Sequence, residues 1–240
     1  QNKTGERVVI GSIDELKKHT KKSGNKYFIM RHGEAGNNIE KVYHSDATNR
    51  ANTALTDNGR IQAKESIKKF EENVDIVISS PYLRSKQTAE IVCEHLNFPL
   101  DKIIYDPRIY EWKTGTKFDG KSKEEFRGYY DRDYINGLQD DLVDGESFAQ
   151  VIKRVGEFIY EIESKYHDKN IFIVAHSGII RALNFITENL TFLEAERRGK
   201  PFDIPDNASI RSVPFVPLPH NENYELDLHK PYIDQLVLVD

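Results

Sequence analysis

The sequence is poor in cysteine, in long apolar runs and in net charge. Cys93 is the single cysteine among 240 residues, which excludes an intramolecular disulfide and any zinc site built from several cysteines. No apolar run approaches the roughly 20 residues that a membrane-spanning helix needs, so no membrane partner is predicted. The formal net charge of −5 argues against a protein that coats nucleic acid non-specifically, although it is compatible with a local basic pocket.

The residues that are present are typical of a soluble globular protein. Hydrophobic residues make up 38% of the chain and charged residues 30%. The length suits one large domain or two small ones. The first residues are polar and charged and do not resemble the apolar core of a signal peptide. A cytoplasmic location is therefore the default expectation.

Short apolar runs alternate with helical patterns along most of the chain. The runs predict strands over 26–30, 76–78, 103–105, 171–175 and 208–213. The predicted helices begin after Thr56-Asp57 and after Ser80 as N-cap, and cover 146–165 and 178–186. This order predicts an α/β fold, a three-layer sandwich with a mostly parallel sheet and helices on both faces.

Two of the predicted strands end at a histidine followed by small residues. The run 27–30 stops at Arg31-His32-Gly33, and the run 171–175 stops at His176-Ser177-Gly178. In a parallel sheet of this kind, ligands bind beyond the carboxyl ends of the strands. Imidazole and guanidinium groups brought together there would suit a tetrahedral anion. We also expect Gly33 to let the backbone approach a ligand closely.

The two histidine segments belong to a longer series of ordered motifs. In chain order these are Arg31–Glu34 with Asn38, Leu55–Ala63, Ser79–Ala89, Glu111-Trp112, Gly145–Ser147 with Arg154-Val155, and Asn207–Ile210. The series resembles the histidine phosphatase superfamily, the phosphoglycerate-mutase-like enzymes. The resemblance implies the same α/β fold and a phosphatase domain over 26–218.

The resemblance implies a phosphate site made of side-chain and backbone donors. Arg31 and Arg84 would bind the equatorial oxygens of the phosphoryl group, where charge accumulates in the transition state. His176 would add a further donor, and Asn38 a neutral hydrogen bond. Ser177 is assigned to the same phosphate-binding set. With so many donors around one phosphate, neither a metal nor another cofactor is expected.

The resemblance also assigns the two chemical roles of a phosphomonoester hydrolase. His32 would be the nucleophile that takes the phosphoryl group and becomes phosphohistidine. Glu111 would protonate the leaving alkoxide and then act as a base toward water. The catalytic set is therefore His32, Glu111, His176, Arg31 and Arg84.

The chain departs from the family pattern at two positions. The family usually has glycine after the second histidine, where this chain has Ser177. A hydroxyl residue is common two positions after the first glycine, where this chain has Ala35. The first change would displace a phosphate-facing amide, and the second would remove one phosphate contact.

The two flanks, 1–25 and 219–240, resemble a different protein. Asp227–Asp234 is similar to the segment of isoleucyl-tRNA synthetases that re-enters the catalytic domain after the editing region, and Val9–Leu16 to the segment just before it. Those segments are adjacent in such a synthetase, but here the phosphatase-like region separates them. The resemblance of the flanks therefore predicts a phosphatase domain inserted in an isoleucine-tRNA ligase. Such an insertion is physically possible, because short surface connections accept whole domains.

Three functions remain open from the sequence. The first is metal-independent phosphomonoester hydrolysis of a small molecule, a nucleotide or an RNA end. The second is a catalytically weak insert that binds phosphate groups of tRNA or has a structural role, and the third is a phosphomutase. The segment 113–146 mixes basic and aromatic residues that could accept a nucleotide. Its acidic residues oppose this interpretation and favour a solvated lid.

Overall fold

The computed structural model describes residues 23–40, 51–118, 120–122, 124–126, 144–188 and 205–213. The synthetase-like segments Val9–Leu16 and Asp227–Asp234 lie outside these residues, as does most of the basic and aromatic part of 113–146. Within the described residues, no helix is both long and apolar enough to cross a membrane.

One five-stranded sheet lies at the centre of the part of the chain that the structure describes. Its strands are β1 (Lys26–Arg31), β2 (Ile76–Ser79), β3 (Ile104–Tyr105), β4 (Asn170–Ala175) and β5 (Ile210–Val213). Their order across the sheet is β3-β2-β4-β1-β5. The pairs among β3, β2, β4 and β1 are parallel, and β5 runs antiparallel to β1 at the edge. The predicted mostly parallel α/β fold is confirmed.

Helices follow the strands in the predicted alternation. The α-helices are α1 (Gly36–Glu40), α2 (Asp57–Ile67), α3 (Leu83–Leu96), α4 (Phe148–Lys165) and α5 (Ser177–Glu188). Short 3-10 turns cover Leu100–Lys102, Pro107–Ile109 and Thr116–Phe118. Helix α4 begins with a capping box, in which Ser147 and Gln150 exchange side-chain and backbone hydrogen bonds.

The sheet is buried on both faces, which explains why its central strands are apolar without alternation. On one face, Tyr27, Ile29 and Ile173 pack with residues of α4 and α5. On the other face, Met30 and Val174 pack with residues of α2 and α3. Successive side chains of one strand therefore enter different cores, as the two-residue period of a strand requires.

The loop after β1 is held against the start of α2. Thr56 caps α2 by accepting from the Gly59 amide, and its hydroxyl donates to Glu34. A Cβ atom on Gly33 would lie 2.3 Å from the carbonyl oxygen of Gly59, and one on Gly59 would lie 2.0 Å from that of Glu34. In this structure, the close approach that Gly33 permits is therefore to the backbone of α2.

The prediction that Ser80 caps the third helix is wrong. Helix α3 begins at Leu83, and its N-cap position is Tyr82, whose side chain makes no capping bond. The Ser80 hydroxyl instead lies 2.8 Å from Nε2 of His176. The tertiary contact with His176, the residue after β4, decides where this side chain points, and the local Ser-Pro pattern does not encode that contact.

Substituting Gly33 with alanine should destabilise the protein, because the added methyl group would meet backbone rather than a movable side chain. We expect Gly33→Ala to lower the free energy of unfolding by about 1–3 kcal/mol, measured by urea denaturation. Gly36→Ala is the matched control, since its Cβ would make only a 3.4 Å contact with the Thr53 methyl group. Equal losses in the two variants would contradict this account of Gly33.

Candidate active site

The register of the sheet brings the two predicted histidines together. Strands β1 and β4 pair so that Arg31 lies opposite Ala175, and the residues that follow them are His32 and His176. The His32 amide extends the ladder by donating to the Ala175 carbonyl at 3.0 Å. The two imidazole rings are 5.1 Å apart between centroids, at an interplanar angle of 64°.

The protonation of the His32 ring follows from its hydrogen bonds. Nδ1 lies 2.7 Å from the carbonyl oxygen of Gly33, which can only accept, so Nδ1 carries the proton. In the neutral ring, Nε2 then has the lone pair. The Arg84 Nε–H group donates to this Nε2 at 3.1 Å. The nitrogen that can act as a nucleophile thus faces the guanidinium group of Arg84.

Arg84 is a buried cation beside the nucleophilic nitrogen. Its exposed fraction is 3%, and that of His32 is 2%. The guanidinium carbon lies 5.0 Å from the centroid of the Tyr82 ring, which stabilises the charge by a cation–π interaction. Thr88, one turn along α3, accepts from the Gly33 amide and donates to the Arg84 carbonyl. Helix α3 is therefore tied to the loop that carries His32.

His176 is fully buried and is held by a serine hydroxyl. Its Nε2 lies 2.8 Å from Oγ of Ser80 and 3.4 Å from Oγ of Ser85. The Ser80 hydroxyl accepts from the Tyr82 amide, which leaves its own proton for donation to His176. Nδ1 of His176 has no hydrogen-bond partner within the described part of the chain, although it is buried. This nitrogen is the one available to a ligand oxygen.

Burial and neighbouring cations keep His176 neutral. Desolvation lowers its pKa well below the usual value, and the positive charges of Arg84, Arg154 and Arg31 lower it further, as would a charge on His32. A neutral imidazole has one N–H group to donate and adds no charge to a cluster that already contains buried Arg84. The cluster therefore favours an anion as ligand.

Arg31 and Asn38 lie beside the same strand end. One guanidinium nitrogen of Arg31, Nη1, donates to the Pro205 carbonyl at 2.6 Å. Oδ1 of Asn38 accepts from the Ala35 amide and from Nδ2 of Asn207, at 3.0 and 3.3 Å. The amide nitrogen of Asn38 is then the end that could donate to a ligand.

The carboxylate of Glu111 lies against the first turn of α5, the helix that begins directly after His176. Its Oε1 accepts from the amides of Trp112 and Gly178, at 2.9 and 3.1 Å. Its Oε2 accepts from the Ser177 hydroxyl at 3.2 Å. A Cβ atom on Gly178 would lie 2.5 Å from Oε1, so a side chain at position 178 would displace the carboxylate from this place.

An ion pair between Arg154 and Glu146 supports the loop that carries Glu111. Arg154 binds both carboxylate oxygens of Glu146, at 2.8 and 3.0 Å, and Tyr110 donates to the same group at 2.7 Å. Burial acts to raise the pKa of Glu146, but Arg154 and the bonds from Tyr110 and the Lys113 amide outweigh it, and this pKa lies below its usual value. The Trp112 indole donates to the Glu146 carbonyl.

The donors around the strand ends are nitrogen groups and hydroxyls rather than a set of metal ligands. Among the residues that the structure describes, no three His, Cys, Asp or Glu side chains are grouped so that they could hold a metal ion. The groups that converge can bind a phosphate-like anion, present one nucleophilic nitrogen and supply one carboxyl group for proton transfer.

This geometry agrees with the comparison to known families. The sequence model described as "Histidine phosphatase superfamily (branch 1)" matches residues 27–216. The chain belongs to the histidine phosphatase superfamily. The predicted resemblance over most of the chain is thereby confirmed, and names of phosphatases recur among the similar proteins.

Two curated relatives illustrate this similarity to histidine phosphatases. The uncharacterized phosphatase PhoE of Bacillus subtilis is 26% identical over 202 residues, covering 75% of this chain and 95% of that protein. Phosphoserine phosphatase 1 of Hydrogenobacter thermophilus is 28% identical over 134 residues, covering 54% of this chain and 62% of that protein.

Solved structures share the fold of this member of the superfamily. A mycobacterial glucosyl-3-phosphoglycerate phosphatase in complex with VO3 superposes with a TM-score of 0.64 at 20% identity, covering 78% of this chain and 91% of that one. Phosphoserine phosphatase of Entamoeba histolytica, in complex with 3-phosphoglyceric acid, has a TM-score of 0.61 at 24% identity, covering 78% and 89%.

Sequence reasoning assigned no role to several residues of the site. The Asn207 amide donates to the His32 carbonyl at 3.1 Å, and the Tyr82 ring meets the His176 ring edge-on at 5.3 Å. The sequence could have assigned Ser80 to the site, because Ser80 lies just after the end of a predicted strand, as the two histidine segments do. Asn207 follows no predicted strand, and only the antiparallel β5 brings it to the site.

His176 should make the protein less stable in mild acid. A histidine in the unfolded chain takes up a proton near pH 6.5, whereas His176 in the folded protein stays neutral to a lower pH. Below about pH 6.5 the unfolded state therefore binds more protons than the folded state. The free energy of unfolding should fall as pH drops through this window, down to the lowered pKa. We expect a smaller fall in His176→Gln, measured by urea denaturation at about pH 5.5 and about pH 7.5. Identical falls would contradict a neutral, buried His176.

Proposed function

We propose that the chain is a metal-independent phosphomonoester hydrolase that acts through a phosphohistidine at His32. The observation that carries this proposal is the pairing of His32 Nε2 with Arg84 at the end of β1. The hydrogen bond from Nδ1 to Gly33 fixes the ring tautomer in which Nε2 has the lone pair. The guanidinium group beside that nitrogen suits the oxygens of a phosphoryl group that Nε2 attacks.

The first half-reaction transfers the phosphoryl group to His32. Nε2 forms a bond to phosphorus while the bond between phosphorus and the ester oxygen breaks, and that electron pair goes to the leaving oxygen. Glu111, in its acid form, gives this oxygen a proton. Arg84, Arg31 and the Nδ1 group of His176 are the donors for the phosphoryl oxygens.

The second half-reaction returns the enzyme to its starting state. A water molecule attacks phosphorus, Glu111 takes the proton that the water loses, and the bond between phosphorus and Nε2 breaks with its electrons returning to the ring. The expected substrate class is a phosphorylated small molecule, a nucleotide or an RNA end. A carboxyl acid is most useful when the leaving group is a poor one, such as an alkoxide.

His32 should be essential for turnover and for the covalent intermediate. We expect His32→Ala to lose at least about 10³-fold in hydrolysis of p-nitrophenyl phosphate, with the wild-type activity unaffected by excess EDTA. Rapid quenching with a labelled phosphomonoester should trap an acid-labile phosphoenzyme in the wild type but not in His32→Ala. His95→Ala is the control, because His95 lies on an exposed position of α3.

Three other outcomes would replace this proposal. Activity lost in EDTA would contradict metal independence. Label transferred from His32 to a second alcohol, rather than to water, would identify a phosphomutase. Binding of phosphate without turnover would identify the catalytically weak insert, and its affinity for tRNA phosphate groups would then be measured.

We further propose that the flanks 1–25 and 219–240 derive from an isoleucyl-tRNA synthetase in which the phosphatase domain is inserted. The support is the resemblance of Val9–Leu16 and Asp227–Asp234 to adjacent segments of that enzyme. An antibody against residues 26–218 should detect, in cells that express the chain, a protein far larger than 27.8 kDa. A band at that mass alone would overturn the insertion, and with it any tRNA partner.

A further inference from the structure

The carboxyl group of Glu111 is held differently at its two oxygens. Oε1 accepts two backbone donors, the amides of Trp112 and Gly178, at 2.9 and 3.1 Å. Oε2 accepts a hydrogen bond from a side chain, the Ser177 hydroxyl, at 3.2 Å. The two oxygens therefore have different capacities to carry a proton, because an amide N–H can only donate whereas a hydroxyl can donate or accept.

The amide donors exclude the proton from Oε1. A proton on Oε1 would face two N–H groups and would leave them without an acceptor in a partly buried place. Oε2 is the oxygen that can carry the proton, since the Ser177 hydroxyl can turn. It donates to Oε2 when Glu111 is ionised, and it can turn to accept from Oε2 or turn away when Oε2 carries a proton. A glycine at this position could do neither.

We propose that Ser177 is a positioning residue for Glu111, which orients Oε2 toward the leaving oxygen and follows its change of charge during turnover. This rests on the proposed function, in which Glu111 is the acid and then the base. It gives the Ser177 hydroxyl a role on the proton-transfer side of the site, in place of the phosphate contact expected from the sequence. The hydroxyl is already within hydrogen-bond distance of Oε2.

The proton balance of the cycle shows where Ser177 acts. In the first step, the proton on Oε2 moves to the ester oxygen as the bond from phosphorus to that oxygen breaks, and Oε2 is left charged. The Ser177 hydroxyl then donates to the charged oxygen. In the second step, water gives a proton to Oε2 while its oxygen bonds to phosphorus, and the Ser177 hydroxyl turns away again.

The test compares two substrates that differ in how much acid help the leaving group needs. Nitrophenolate leaves readily without a proton, whereas phenolate from phenyl phosphate is a poorer leaving group of nearly the same shape. For Ser177→Ala, we expect kcat/KM to fall about tenfold more on phenyl phosphate than on p-nitrophenyl phosphate. Glu111→Gln should show the same pattern with a larger loss, and Ser177→Thr should restore the wild-type ratio of the two substrates.

Ser209→Ala is the matched control for the loss of a serine hydroxyl. Oγ of Ser209 is buried and has no hydrogen-bond partner among residues that the structure describes. This variant should keep the wild-type ratio of the two substrates. If Ser177→Ala does not fold, Ser177→Gly provides the same comparison, because glycine is the usual residue of the family at this position.

The outcomes separate this inference from the proposed function. A wild-type enzyme that forms the phosphoenzyme and turns over both esters, together with equal losses on both in Ser177→Ala, would overturn the positioning role alone. No phosphoenzyme and no turnover in the wild type would overturn the proposed function, and the role of Ser177 with it. A selective loss on phenyl phosphate, reversed in Ser177→Thr, would support both.

Discussion

The parallel pairing of β1 with β4 is the constraint on which the site depends. The pairing fixes the register in which Arg31 lies opposite Ala175, and so it sets His32 beside His176. The pairing of β2 with β4 sets Ser80 beside them in the same way. Because the sheet is buried on both faces, a shift of register would move apolar side chains into the wrong core. The packing of the whole domain therefore maintains the distance between the two rings.

The site is organised around buried donors before any ligand is present. A buried guanidinium group needs compensation, and here it meets the Tyr82 ring and the lone pair of His32. The neutral state of His176 avoids a second buried charge next to it. Hydrogen-bond donors fixed in this way need little rearrangement when an anion arrives, which is the usual source of electrostatic stabilisation in catalysis.

The proton-transfer side of the site depends on a different part of the fold. Glu111 comes from a loop, yet its carboxyl group is fixed by the first turn of α5, which begins immediately after His176. The Glu146–Arg154 ion pair and the Trp112 indole anchor that loop to α4. The phosphate-binding side and the acid side are thus connected through the segment from His176 to Gly178.

The sequence by itself determined the fold class and the identity of the candidate residues. Apolar runs ending at His32 and His176 indicated parallel strands whose ends carry polar groups, because that pattern depends only on local burial and chain direction. The tertiary structure decided what those residues contact. The Ser80 hydroxyl lies within hydrogen-bond distance of His176 instead of capping a helix. The backbone at Gly33 packs against Gly59, and the Ser177 hydroxyl donates to Glu111. These contacts join segments far apart in the chain, and only the packing of strands and helices sets them.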